Sequence, residues 1–80
     1  MTTTDSDLII GNRIYTDRHM QGIDRRDLAI TAQISYDALK RIENGVRKVK
    51  PTELYLIAKR MGRTMEHYLG VQQLRGKGNE

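Results

Sequence analysis

The chain has 80 residues, 30% of them charged and 38% apolar, with a formal net charge of +4 and no cysteine. A chain this short buries one small core. Without cysteine it has neither a disulfide framework nor a thiolate metal site, no apolar run approaches the ~18 residues that span a bilayer, and MTTTDSD lacks the basic-then-apolar pattern of a secretory signal. These features fit a cytoplasmic domain held together by helix packing, helped by dimerisation.

Taken in order, residues 1–6 read as a disordered polar tail. A first helix is expected over residues 7–20, capped by Asp7 or Ser6, with Leu8, Ile10, Ile14 and Met20 turned inward and Gly22 after its end. Gly11 inside that helix costs about 1 kcal/mol relative to alanine, which points to close approach of a neighbouring helix. A second helix starts at Asp24, with Asp27 three residues on as an approximate capping box. Leu28, Ala29 and Ala32 form its apolar stripe. Ser35 caps a third helix, in which Leu39 and Ile42 share a face and Gly45 closes the end. The basic loop VRKVK follows, and Pro51 then suits the first position of a fourth helix. That helix carries Leu54, Ile57, Ala58 and Met61 inward and stops at Gly62. Thr64 caps a fifth helix from Met65 to about Gly70, with Glu66 near its N-terminus, and residues 75–80 form a polar tail. Five helices with short connections predict a compact all-α domain over residues 7–74.

Charge is unevenly spread. Residues 1–34 hold four Lys/Arg against five Asp/Glu, residues 35–62 hold seven against three, and residues 63–80 hold three against two. The excess therefore falls on the third helix and the segment after it, as expected for a surface that meets nucleic acid. With Leu39 and Ile42 facing inward, the outward positions of the third helix are Tyr36, Asp37, Lys40 and Arg41.

Arg18, Leu28-Ala29, Ser35, Ile42-Glu43, Gly45, Ile57-Ala58, Met61-Gly62 and Thr64 stand at mutually consistent spacings, as does the run Ile10-Gly11-Asn12-Arg13-Ile14. On these marks, over about residues 8–70, the chain resembles the phage repressor and Cro-type (XRE-like) family of helix-turn-helix transcriptional regulators. The resemblance implies a lambda-repressor-like five-helix fold and a double-stranded DNA operator, with the third helix in the major groove. It implies base reading at Tyr36, Asp37 and Arg41, with Lys40 beside them as a phosphate clamp. Arg41 suits bidentate bonding to guanine; Asp37 suits either cytosine N4 or the helix dipole. Phosphate contact is implied for Arg25, which replaces a common glutamine, and for Asn44, while Arg47, Lys48 and Lys50 add non-directional attraction. Arg18 and Glu43 correspond to a structural ion pair. Three departures stand out: Gln33 holds a turn position where glycine is usual, Asp17 holds one that is often apolar, and Arg25 brings a full charge.

One such motif covers half an operator, so a homodimer on a palindrome is expected, acting as a repressor. Met65, Tyr68, Leu69, Val71 and Leu74 are its candidate interface, with Tyr55 and Leu56 a lesser patch. An antitoxin, or an adaptor using the same fold to hold a protein partner, is the competing reading. An enzyme is not expected: His19 and His67 lack ligand-spaced neighbours, Ser6 and Ser35 look like caps, and there is no phosphate loop. Catalytic residues, metal sites and cofactors are therefore assigned to none of the chain.

Overall fold

The computed structural model describes residues 3–70, and within it local sequence chemistry sets each helix boundary. Helix α1 (Asp5–Met20) begins at Thr4. The Thr4 backbone N–H donates to Asp7 Oδ2 at 2.7 Å, and Asp7 N–H donates back to Thr4 Oγ1 at 3.3 Å, a reciprocal capping box. The helix thus starts two residues before the expected position, and Asp7 serves as the third helical residue rather than the cap. Residues 5 and 6, assigned to a tail, belong to this helix; residues 1–2 and 71–80, with the proposed tail over 75–80, lie outside the described residues.

Helix α2 (Arg25–Ala32) follows Asp24, which has the extended backbone of an N-cap but makes no side-chain capping bond. The Asp24–Asp27 box is therefore absent, and the exposed Asp24 carboxylate is left to solvent. The helix ends on Gln33 at φ 62°, ψ 38°, the one non-glycine residue with positive φ among the described residues. Such a left-handed turn costs roughly 1 kcal/mol for a residue with a Cβ. Helix α3 (Tyr36–Glu43) is capped by the Ser35 hydroxyl, which accepts from Ala38 N–H at 3.0 Å. At its other end Gly45 takes φ 78°, Gly45 N–H donates to Ile42 O and Val46 N–H to Arg41 O, the paired bonds that close a helix through a left-handed residue. Helix α4 (Pro51–Met61) has proline at its start and Gly62 at its end. Helix α5 (Met65–Leu69) begins at Thr64, whose side chain accepts from His67 N–H at 3.2 Å.

Helix α1 packs on α3, α4 and α5, while α2 packs on α3 and α4. One core results, built from Ile14, Leu28, Leu39, Ile42, Leu54, Ile57 and Tyr68 together with small residues Ala29, Ala32 and Ala58. Two expected inward residues of α1 are exposed. Leu8 covers Gly45 at the end of α3 instead of entering the core. Met20 stands two residues past buried Arg18, about 200° round the helix at 100° per residue, and so faces solvent.

Asp17 sits at the junction of α1 with α5 and is buried. Its Oδ2 meets His67 Nε2 at 2.9 Å and Arg63 Nε at 3.4 Å. A position often apolar in the resembled family is thus filled by a carboxylate with two partners. It also makes His67 a spatial neighbour of an acid fifty residues away in the chain, a relation that local spacing cannot reveal. Tyr68 lies beside this cluster with its hydroxyl fully buried and unbonded among the described residues. Burial, and after it the Asp17 carboxylate, push the phenol above its ordinary pKa. Arg13 ties the end of α5 to α1, donating to the carbonyls of His67 and Tyr68 at 3.4 and 3.3 Å.

Candidate nucleic-acid interface

The inward side of α3 is wholly committed to the core, with Leu39 0% and Ile42 1% exposed. Tyr36, Asp37, Lys40 and Arg41 consequently share the outer side, and all four are exposed. The spacing that makes Leu39 and Ile42 neighbours one helical turn apart also leaves these four as a continuous polar surface.

Behind that surface stands a buried carboxylate. The Glu43 side chain has no solvent exposure. Arg18 Nε donates to Glu43 Oε2 at 2.7 Å and Arg18 Nη2 to Oε1 at 3.1 Å, while Arg18 Nη1 donates to the Ile23 carbonyl at 2.9 Å. Glu43 Oε1 accepts a further bond from Arg25 Nε at 3.0 Å. Two guanidinium groups therefore neutralise one carboxylate, and the end of α3 is fixed to both α1 and α2. Arg25 continues outward: Nη1 donates to the Tyr36 hydroxyl at 3.3 Å and the guanidinium lies 5.5 Å from the Tyr36 ring centroid. Such a stack holds the ring and attracts the cation at once.

The expected phosphate-contacting residues are not equivalent in the structure. Arg25 is drawn into the Glu43 cluster with its side chain 19% exposed. Arg47 makes two bonds to Glu53, at 2.9 and 3.2 Å, and another to the Lys48 carbonyl. Burial by itself would raise the Glu53 carboxyl; the Arg47 bonds and the Lys50 backbone N–H outweigh it and hold the group below its ordinary pKa. Lys48 pairs with Asp7 at 2.9 Å, and the hydrogen bond from its ammonium keeps the Asp7 carboxyl low. Asn44 is the exposed C-cap of α3, and Lys50 is the exposed N-cap of α4. The charge excess read from composition is thus partly consumed inside the chain. Glu53, third residue of a proline-started helix, was the available signal for Arg47, since a first-turn acid faces the segment that enters the helix.

On the α5 side, Tyr68 is a correction: it is fully buried within its own core and belongs to no surface. A tyrosine three residues after Met65 on a short helix has its ring drawn into the core that Met65 packs against. Met65 is half-buried against that core, Leu69 is exposed, and Val71 and Leu74 lie outside the described residues. Beside Met65 an open groove of about 420 Å³ is lined by Tyr55, Ala58, Lys59, Arg63 and Glu66 among others. Among the described residues no His/Cys/Asp/Glu group could hold a metal ion, and no helix is long and apolar enough to cross a membrane.

The family model described as helix-turn-helix matches residues 14–68. An uncharacterized HTH-type transcriptional regulator of Rickettsia conorii is 27% identical over 62 residues, covering 78% of this chain and 50% of that protein. A second, from Rickettsia prowazekii, is 27% identical over 62 residues, covering 78% and 48%. The chain spans about half the length of these curated relatives. Among solved structures, the clp gene regulator ClgR from Corynebacterium glutamicum superposes with a TM-score of 0.77 at 21% identity, covering 89% of this chain and 80% of that one. The restriction-modification controller protein C.AhdI from Aeromonas hydrophila gives 0.75 at 17% identity, covering 81% and 98%. Identities this low establish a shared fold.

Proposed function

This chain belongs to the XRE-type helix-turn-helix family, and from that premise we propose that it is a sequence-specific, double-stranded DNA-binding transcriptional regulator. It acts in the cytoplasm as a repressor, as a homodimer on a palindromic operator, with α3 in the major groove. The observation that carries this reading is the exposed face of Tyr36, Asp37, Lys40 and Arg41, backed by the buried Arg18–Glu43–Arg25 cluster. A rigid support under an exposed, donor-rich helix is what direct reading of base edges demands.

Within that face Arg41 bonds guanine O6 and N7, Tyr36 meets a base edge or phosphate, and Lys40, Asn44, Lys48 and Lys50 contact the backbone. Arg25 and Arg47 act mainly through Glu43 and Glu53, as ties that shape the surface. Dimerisation uses the groove beside α5, where Met65, Ala58 and Tyr55 supply apolar surface and where Glu66 offers a counter-charge to Lys59 and Arg63 of a second copy, together with the exposed Leu69 of α5. A second motif then lies about 34 Å away on the next turn of the duplex. A monomer in sedimentation at tens of micromolar contradicts this interface.

Selection from random duplex DNA by the whole chain, followed by a salt titration, tests the reading. The expected result is an enriched palindrome. Two copies of Lys40, Lys48 and Lys50 at the phosphates lower affinity about 10³-fold between about 50 and 200 mM salt. Arg41→Ala relaxes one base position per half-site, by about 1–3 kcal/mol, whereas Lys48→Ala weakens all sequences about equally. Absence of any enriched sequence, with retained capture of a protein partner, favours the adaptor reading instead.

A further inference from the structure

Of the five arginines in or beside the motif, Arg26 is exposed on α2 and three are tied down: Arg18 and Arg25 to Glu43, Arg47 to Glu53. Arg41 differs. Its side chain is 64% exposed, and its one ion-pair partner among the described residues is Asp37, itself 66% exposed, with Nε 3.1 Å from Oδ2. Asp37 stands one helical turn before Arg41, at the second residue of α3.

An exposed pair of this kind adds little to folding stability. The Ser35 hydroxyl already caps the same helix end. A carboxylate on a surface that meets a polyanion, moreover, opposes binding. Folding gains from Asp37 only a small helix-dipole stabilisation, and attraction to DNA gains nothing. What Asp37 does supply is orientation and exclusion. The carboxylate meets Arg41 at Nε, which leaves the end-on edge formed by the two terminal nitrogens open. Those terminal nitrogens form the edge that matches guanine O6 and N7. An ionised carboxylate is also an acceptor only: it suits the N–H donors of cytosine N4 or adenine N6, and it repels guanine O6/N7 and thymine O4.

We propose that Asp37 is a specificity-determining residue, which positions Arg41 on guanine and rejects acceptor edges at the neighbouring base pair. The proposal rests on the assignment of α3 as the DNA-reading helix. Its consequence is an opposition of signs, with Asp37 lowering affinity for DNA in general while raising discrimination among sequences.

The test uses the whole chain, the duplex it enriches from a random pool, and single-base variants of that duplex. Asp37→Asn removes the charge and makes the group both donor and acceptor. It is expected to bind an unrelated duplex severalfold more tightly and to lose at least about fivefold discrimination at one pair next to the Arg41 guanine. Asp37→Glu keeps the charge and the one-turn spacing and retains most of the preference. In the Arg41→Ala background, Asp37→Asn no longer alters preference at the guanine. A purely structural Asp37 shifts the melting temperature and leaves the base profile unchanged. An unchanged profile in D37N, or uniformly weaker binding to every duplex, overturns the proposal alone. A wild-type chain that enriches no duplex brings down the DNA-reading assignment with it.

Discussion

Glu43→Ala is expected to lower the unfolding free energy by about 3–5 kcal/mol. For a domain of this size that is a fall in melting temperature of roughly 12 °C or more. The variant leaves the buried Arg18 and the largely buried Arg25 without their shared carboxylate. Like charges then face each other where solvent cannot screen them, and the end of α3 loses its ties to both α1 and α2. The intact cluster itself stabilises little in net terms, because desolvating its charges offsets their attraction. Hence Arg18→Met combined with Glu43→Leu is expected to be less damaging than Glu43→Ala. Urea unfolding of the wild type and these two variants measures this. An E43A protein as stable as wild type would mean that the carboxylate carries no such role.

Gly11→Ala is expected to destabilise even though alanine is the better helix former. A Cβ built on Gly11 overlaps the Ile42 carbonyl oxygen and comes within 3.1 Å of the Glu43 carbonyl oxygen. Both obstacles are backbone, so no rotamer change relieves them, and α1 must move away from α3. Overpacking of this sort costs about 1–3 kcal/mol or more, which exceeds the gain of about 1 kcal/mol in helix propensity. The effect extends to function, because the displaced end of α3 also carries Glu43 and positions Arg41. Loss of sequence preference at a temperature where the variant remains helical by circular dichroism is the expected signature. A raised melting temperature would show that the two helices do not meet at Gly11.

The five helices were legible from capping residues and stop signals, since Ser35, Gly45, Pro51, Gly62 and Thr64 act locally. The inward stripes of α2, α3 and α4 were legible for a related reason: Leu28 and Ala32, Leu39 and Ile42, and Leu54, Ile57 and Met61 are spaced at the helical period within their own helices. Helix α1 was harder, because the face it buries carries Gly11, Asp17 and Arg18 as well as Ile14. An apolar search on such a face picks up Leu8 and Met20, which the structure leaves exposed. The outer face of α3 followed from elimination once Leu39 and Ile42 were placed inside. What no local pattern reveals is which cations are already engaged. Arg25–Glu43, Lys48–Asp7 and Asp17–His67 join residues far apart in the chain, so composition overstated the charge free for phosphate.

Methylation interference on the selected operator tests the central claim most directly. Dimethyl sulfate modifies guanine at N7, on the major-groove edge, and adenine at N3, on the minor-groove edge. The account predicts that N7 methylation at the Arg41 guanine of each half-site blocks binding, that Arg41→Ala abolishes this block, and that N3 methylation of adenines has little effect. Unimpaired binding to N7-methylated operator, or interference confined to adenine N3, would contradict a reading helix in the major groove.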